Sequence, residues 1–112
     1  MIAARVAIRP PTIDHVEEAD ELQAAIAAMW TSARPRLLAR VEALEAAVAA
    51  DLGEPERAEA LIQAHTLVGT LGTFGRPEAS EAARRAETGL EARDPEAVGA
   101  AAKCLRAEIE AD

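Results

Sequence analysis

Apolar residues return every three or four positions through most of this chain, the spacing of one helix face rather than the alternation of a strand. Leu37, Val41, Leu44 and Val48 form one such stripe. Leu61, Ala64, Val68 and Leu71 form the next, widened by Leu67 and Phe74. Ala79, Ala82, Ala83, Ala86 and Leu90 mark a third, lined with small residues, and Val98, Ala101, Ala102, Leu105 and Ile109 a fourth. Ahead of these, residues 13–30 carry a helical pattern with Leu22, Ile26 and Met29 on one side. Residues 1–11 show no period and hold Pro10 and Pro11, so they read as a loose arm before a single domain over residues 12–112.

Three Pro-Glu pairs punctuate the pattern, at Pro55-Glu56, Pro77-Glu78 and Pro95-Glu96. Proline is tolerated in the first turn of a helix, where its missing N–H has no partner to lose, and an acidic neighbour suits the positive end of the helix dipole. Gly53 and Gly75 stand just before the first two pairs, in the place of left-handed helix terminators. Asp94 stands before the third as an N-cap. Helix boundaries therefore fall near 53–55, 75–77 and 93–95. Pro35 either opens the long second helix or kinks a continuous one, and a break is expected near Thr31-Ser32. Short turns between amphipathic helices make antiparallel neighbours. The expected fold is all-α: an antiparallel up-and-down four-helix bundle with an additional N-terminal helix.

Composition supports the bundle and narrows what it can do. Hydrophobic residues fill 50% of the 112 positions, but many are alanine, and Trp30 and Phe74 are the only aromatics. Such a core demands close approach of helices, and Ala, Leu, Glu and Arg are strong helix formers. The net charge of −8 repels phosphates, which argues against nucleic acid or an anionic membrane surface as a partner. Arg34, Arg36 and Arg40 are the nearest thing to a basic patch. Cys104 stands alone, excluding an internal disulfide and a multi-cysteine metal site; it reads as a small core hydrophobe. No apolar run approaches the roughly 20 residues of a membrane span, and no long apolar segment near the start suggests a signal peptide. The expected location is cytoplasmic.

Few residues remain for chemistry. Tyrosine is absent, and the histidines are His15 and His65. Neither follows a glutamate by three residues, as a carboxylate-bridged metal bundle requires, so no metal or other cofactor is expected. Gly69, Gly72 and Gly75 lie within a helical pattern, not between a strand and a helix, so they do not read as a phosphate-cradling loop. No strands are visible to carry a hydrolase nucleophile. His15, among Asp14, Glu17 and Glu18, has no evident role, and Glu56, Glu59, Glu81, Arg84 and Arg85 read as a solvated face.

His65 is set apart by its neighbours. At about 100° per residue it lies roughly 120° from the centre of its helix's core stripe, on the side shared with Ala58, Gly69 and Gly72. Leu61, Ile62, Val68 and Gly69 stand three and four residues either side of it, and Ile62 points away from the core. Glycine inside a helix costs about 1 kcal/mol against alanine, so two on one face need a reason. They either permit tight helix packing or clear a surface on which a partner can approach the imidazole.

The run Ala64-His65-Thr66-Leu67-Val68-Gly69, continued by Gly72, Phe74 and Gly75, resembles the phosphoacceptor helix of histidine-containing phosphotransfer (HPt) domains. That family reads alanine–histidine–x–leucine–lysine–glycine, then glycine, then an aromatic or aliphatic residue and glycine. The likeness extends to Ala86-Glu87, and upstream to Trp30, Arg34-Pro35-Arg36 and Leu44-Glu45, so it spans residues 30 to about 92. The resemblance implies that His65 accepts a phosphoryl group from a receiver-domain aspartyl phosphate or a kinase and passes it to a response regulator. It implies a carrier without its own ATP site rather than an enzyme, with any Mg²⁺ on the partner receiver. Its partners would be a response-regulator receiver domain, a hybrid histidine kinase, or both, docking on Ala58, Leu61, Ile62, Val68, Gly69 and Gly72. The family position matching Glu87 often orients the histidine ring, although an ordinary solvated glutamate fits the pattern equally. One departure matters: members usually carry a lysine one or three residues after the histidine, where this chain has Thr66 and Val68. That leaves open a degenerate module that binds a receiver or kinase without being phosphorylated.

Overall fold

The computed structural model describes the backbone of residues 9–111 and the side chains of residues 18–111. The chain divides into two compact units, Met1–Ser32 and Ala33–Asp112. One helix, α1 (Arg9–Ala49), is continuous through Pro35. The break expected near Thr31-Ser32 is therefore absent, and with it the separate N-terminal helix. No glycine precedes Gly53 to end the helix, and the Ala, Leu and Arg residues around Pro35 favour helix strongly enough to outweigh one lost amide. Pro10 and Pro11 fall in the first turn of α1, where proline is tolerated. Residues 9–11 are thus helical rather than part of a loose arm, while residues 1–8 and the side chain of His15 lie outside the described residues.

In the first unit, every described side chain from Glu18 to Met29 is exposed. Leu22, Ile26 and Met29 form an open apolar stripe, 62%, 42% and 59% exposed, and line no core. Trp30 is buried.

In the second unit, α1 is followed by α2 (Glu56–Thr73), α3 (Pro77–Glu91) and α4 (Pro95–Glu110). No strand occurs among the described residues, and the fold is an all-α bundle. Its three turns share one hydrogen-bond pattern. After α1, Leu52 N–H donates to the Ala47 carbonyl at 2.8 Å and Asp51 N–H to Val48 at 3.0 Å. After α2, Arg76 donates to Leu71 and Gly75 to Gly72; after α3, Asp94 donates to Gly89 and Arg93 to Leu90. These Schellman closures satisfy carbonyls orphaned at a helix end, and each needs a left-handed residue.

Only the α2 turn gives that place to glycine, Gly75 at φ 74°. The α1 turn uses Asp51 and Leu52, at φ 53° and 56°, so Gly53 is not the terminator its position suggests. Leu52 is buried, and drawing it into the core obliges the chain to turn before the glycine arrives. The α3 turn uses exposed Arg93 at φ 57°. A left-handed residue with a Cβ costs about 1–2 kcal/mol, offset in part by the extra freedom glycine has in the unfolded chain. Arg93→Gly is expected to stabilise the fold by about 0.5–1 kcal/mol, seen as a higher urea midpoint at unchanged slope. A lower midpoint would contradict this account of the turn.

The core is the meeting of the four stripes. Leu37, Leu44, Leu67, Leu71, Leu90 and Leu105 are fully enclosed, each contributing about 1.5–3 kcal/mol of burial. The face of α3 made by Ala79, Ala82, Ala83 and Ala86 is buried as completely, and its small side chains let the neighbouring helices close on it. Gly89 continues that face: a Cβ there would meet Val98 Cγ2 at 3.0 Å and the Val98 backbone nitrogen at 3.2 Å. Val48, in the last turn of α1, and Phe74, just past the end of α2, reach only half burial. Cys104 is likewise half-buried, not a core residue; its Sγ accepts from Arg85 at 3.7 Å.

Polar ties fix how the helices lie together. Arg106 grips Glu45 with two hydrogen bonds of 2.9 Å, joining α4 to α1. Those bonds hold the guanidinium above its ordinary pKa, with Glu110 adding to the effect. Arg57 Nε donates to the Leu90 carbonyl at 2.8 Å, tying the start of α2 to the end of α3.

Candidate functional site

His65 stands near the middle of α2 with its side chain 79% exposed. Across the interface with α3, its Nδ1 lies 3.0 Å from Glu87 Oε2. An ionised carboxylate can only accept, so Nδ1 carries the hydrogen of this bond, and in the neutral ring the lone pair is then on Nε2. Glu87 is the better covered partner, its side chain 25% exposed. The imidazole is thereby held in one tautomer while remaining open to a reactant.

A second contact sets the level of α3 against α2. Ser80, at the start of α3, is almost fully buried and its Oγ donates to the Val68 carbonyl at 2.8 Å. The pairs Ser80–Val68 and Glu87–His65 run in opposite senses along the two helices, as an antiparallel pair requires. Together they fix the register that brings Glu87 to the ring. Sequence reasoning passed over Ser80; its one signal was a hydroxyl within a face otherwise built from alanine.

The glycines beside His65 prove to be free of packing duties. Gly69 and Gly72 are both exposed. A Cβ at Gly69 would meet nothing within 4 Å, and one at Gly72 would meet only Ser80 Oγ at 3.8 Å, an ordinary contact. Tight helix packing therefore explains neither, and what they do is leave bare backbone on the face that carries the histidine.

The other residues expected to dock a partner all lie on α2. Ala58 and Ile62 are exposed, Ile62 at 60%, whereas Leu61 and Val68 are half-buried. Ala58 and Ile62 border an open, mostly apolar groove of about 460 Å³, completed by Pro55, Glu56 and Glu59 and by Ala43 and Ala46 of α1. Farther round α2, Arg40 donates to Gln63, which donates in turn to Glu59.

Compared with protein-family models, residues 13–111 match the Hpt domain. The chain belongs to the Hpt domain family. No curated protein and no solved structure matches it. Hpt domains are helical bundles that serve phosphorelays as phosphocarrier modules and interact with receiver domains and kinases. Among the described residues, no group of three or more His, Cys, Asp or Glu side chains is placed to hold a metal ion. No described helix is long and apolar enough to cross a membrane.

Proposed function

We propose that this Hpt domain is a phosphorelay intermediate that carries the phosphoryl group on His65, with Glu87 orienting the ring. The observation that carries the reading is the exposed imidazole held by a carboxylate on a glycine-cleared face. Phosphoryl transfer chiefly needs positioning and charge neutralisation. This chain supplies the first. The partner receiver, with its Mg²⁺, supplies much of the second.

In the forward step the Nε2 lone pair forms an N–P bond as the P–O bond to the receiver's aspartate breaks. The bonding pair leaves with the carboxylate. The ring becomes a phosphoimidazolium whose Nδ1 proton is shared with Glu87, so the developing positive charge meets a negative one at 3.0 Å. Transfer onward reverses the bookkeeping: a second aspartate forms the P–O bond and the electron pair returns to Nε2. Ala58, Ile62, Gly69 and Gly72 form the surface on which the receiver rests, with Leu61 and Val68 at its border.

Mixed with a phosphorylated receiver domain, the protein is expected to gain an acid-labile, alkali-stable phosphate as the receiver loses its own. Stable binding with no transfer would replace this reading with the module that docks without phosphorylation. Label taken directly from ATP would refute the carrier without its own ATP site.

A further inference from the structure

A phosphoryl group on His65 would place a dianion beside Glu87, in a chain whose net charge is already −8. The helix bearing the histidine offers it no counter-charge. Arg57 is the sole basic residue of α2, and it is committed to the Leu90 carbonyl and to Glu54. From Thr66 to Thr73 the helix holds neither base nor acid.

The next helix does offer one. Ser80, Arg84 and Glu87 follow one another at four- and three-residue steps, so they share a face of α3. The outer two members already touch α2: Ser80 at Val68, and Glu87 at His65. Arg84 stands between them along that face, so the antiparallel register sets its backbone level with the turn from His65 to Gly69, while its side chain lies beside Glu81 at the edge of the groove toward Asp94 and Ala97. Gly69 has no side chain to stand in the way, and the space a Cβ would enter is empty. The other cation of that turn, Arg85, is turned toward α4, where it meets Cys104. Arg40 bonds Gln63, about 160° round α2 from His65 at 100° per residue.

We propose that Arg84 is the cation that binds the phosphoryl group of phospho-His65, a role that rests on His65 being the carrier. Without phosphate its Nη1 pairs with Glu81 at 3.1 Å, both side chains more than half exposed. Exposed pairs of this kind hold weakly. A dianion with three acceptor oxygens attracts a guanidinium about twice as strongly as one carboxylate at equal distance. The side chain therefore exchanges Glu81 for the phosphoryl oxygens on phosphorylation. This gives the chain a cation across the helix interface where its own helix has Val68.

The test uses the whole chain and phosphoramidate as donor; the P–N bond of the donor breaks, ammonia leaves with a solvent proton, and the N–P bond to His65 forms. The ³¹P resonance of the product is then followed with pH. Glu81 and Glu87 are the acidic groups flanking Arg84 on its helix, and a cation beside the phosphoryl group favours the dianion. Arg84→Gln is expected to raise the proton affinity of the phosphoryl group about fivefold, with Arg84→Lys recovering most of the difference. The exposed position leaves urea stability unchanged in both variants. A Gln variant that titrates like the wild type overturns the role of Arg84 while the carrier stands. If the wild type forms no phosphohistidine, both fall.

Discussion

His65→Gln is expected to abolish the acid-labile phosphate, reducing label from a phosphorylated receiver to less than about one hundredth of wild type, while the bundle stays as stable as before. The first half follows from chemistry. Glutamine is close in length but has no lone pair on nitrogen able to form an N–P bond, and His15 is the one other histidine in the chain. The second half follows from the site's construction. The ring is 79% exposed and makes a single exposed bond to Glu87, which a glutamine amide can replace. Surface changes of this sort alter stability by no more than about 0.5 kcal/mol. Urea unfolding and a phosphorylation time course on the same preparations check both halves. Label retained on the variant would remove His65 from the mechanism.

Gly69→Leu is expected to make the protein more stable and a poorer phosphate acceptor. Leucine is favoured over glycine in a helix interior by about 0.8 kcal/mol, and nothing within 4 Å opposes a Cβ at this position. The urea midpoint therefore rises. Transfer from a receiver falls by at least about tenfold, because a branched side chain one turn from the imidazole keeps the receiver's aspartate from in-line reach, where even ~1 Å of misplacement costs about a hundredfold. Phosphorylation by phosphoramidate, which needs no docking surface, is expected to change little. That contrast separates a docking defect from a damaged histidine. If the variant gains stability and keeps its rate with the receiver, the bare backbone beside His65 has no part in docking.

The opposite signs expected at Gly69 mark a division between residues that serve folding and residues that do not. Gly89 belongs to the first kind, since a Cβ there collides with Val98 at 3.0 Å. Gly69 and Gly72 belong to the second. The sequence shows all three as glycines within helical patterns and cannot tell them apart. Whether a Cβ has room depends on a neighbouring helix, and no local pattern encodes how closely that helix approaches.

The helices themselves were legible because their causes are local. Apolar spacing, the three Pro-Glu starts and the Asp94 cap, which accepts from Ala97 N–H at 3.1 Å, act within one or two turns of chain. His65, Gly69 and Gly72 share a face for the same reason, at 100° per residue. Local signals failed where burial or competition decided instead. Gly53 looked like the terminator, but the burial of Leu52 moved the turn to Asp51 and Leu52. Pro35 looked like a boundary, but strong helix formers on both sides carried α1 through it. What the tertiary structure alone decided was the level of α3 against α2. Ser80 on Val68 and Glu87 on His65 set it, across separations of 12 and 22 residues. That register turns an exposed histidine into one with a fixed proton and a lone pair left open. It depends on how two faces of unequal side chains interlock, which the spacing along either helix does not contain.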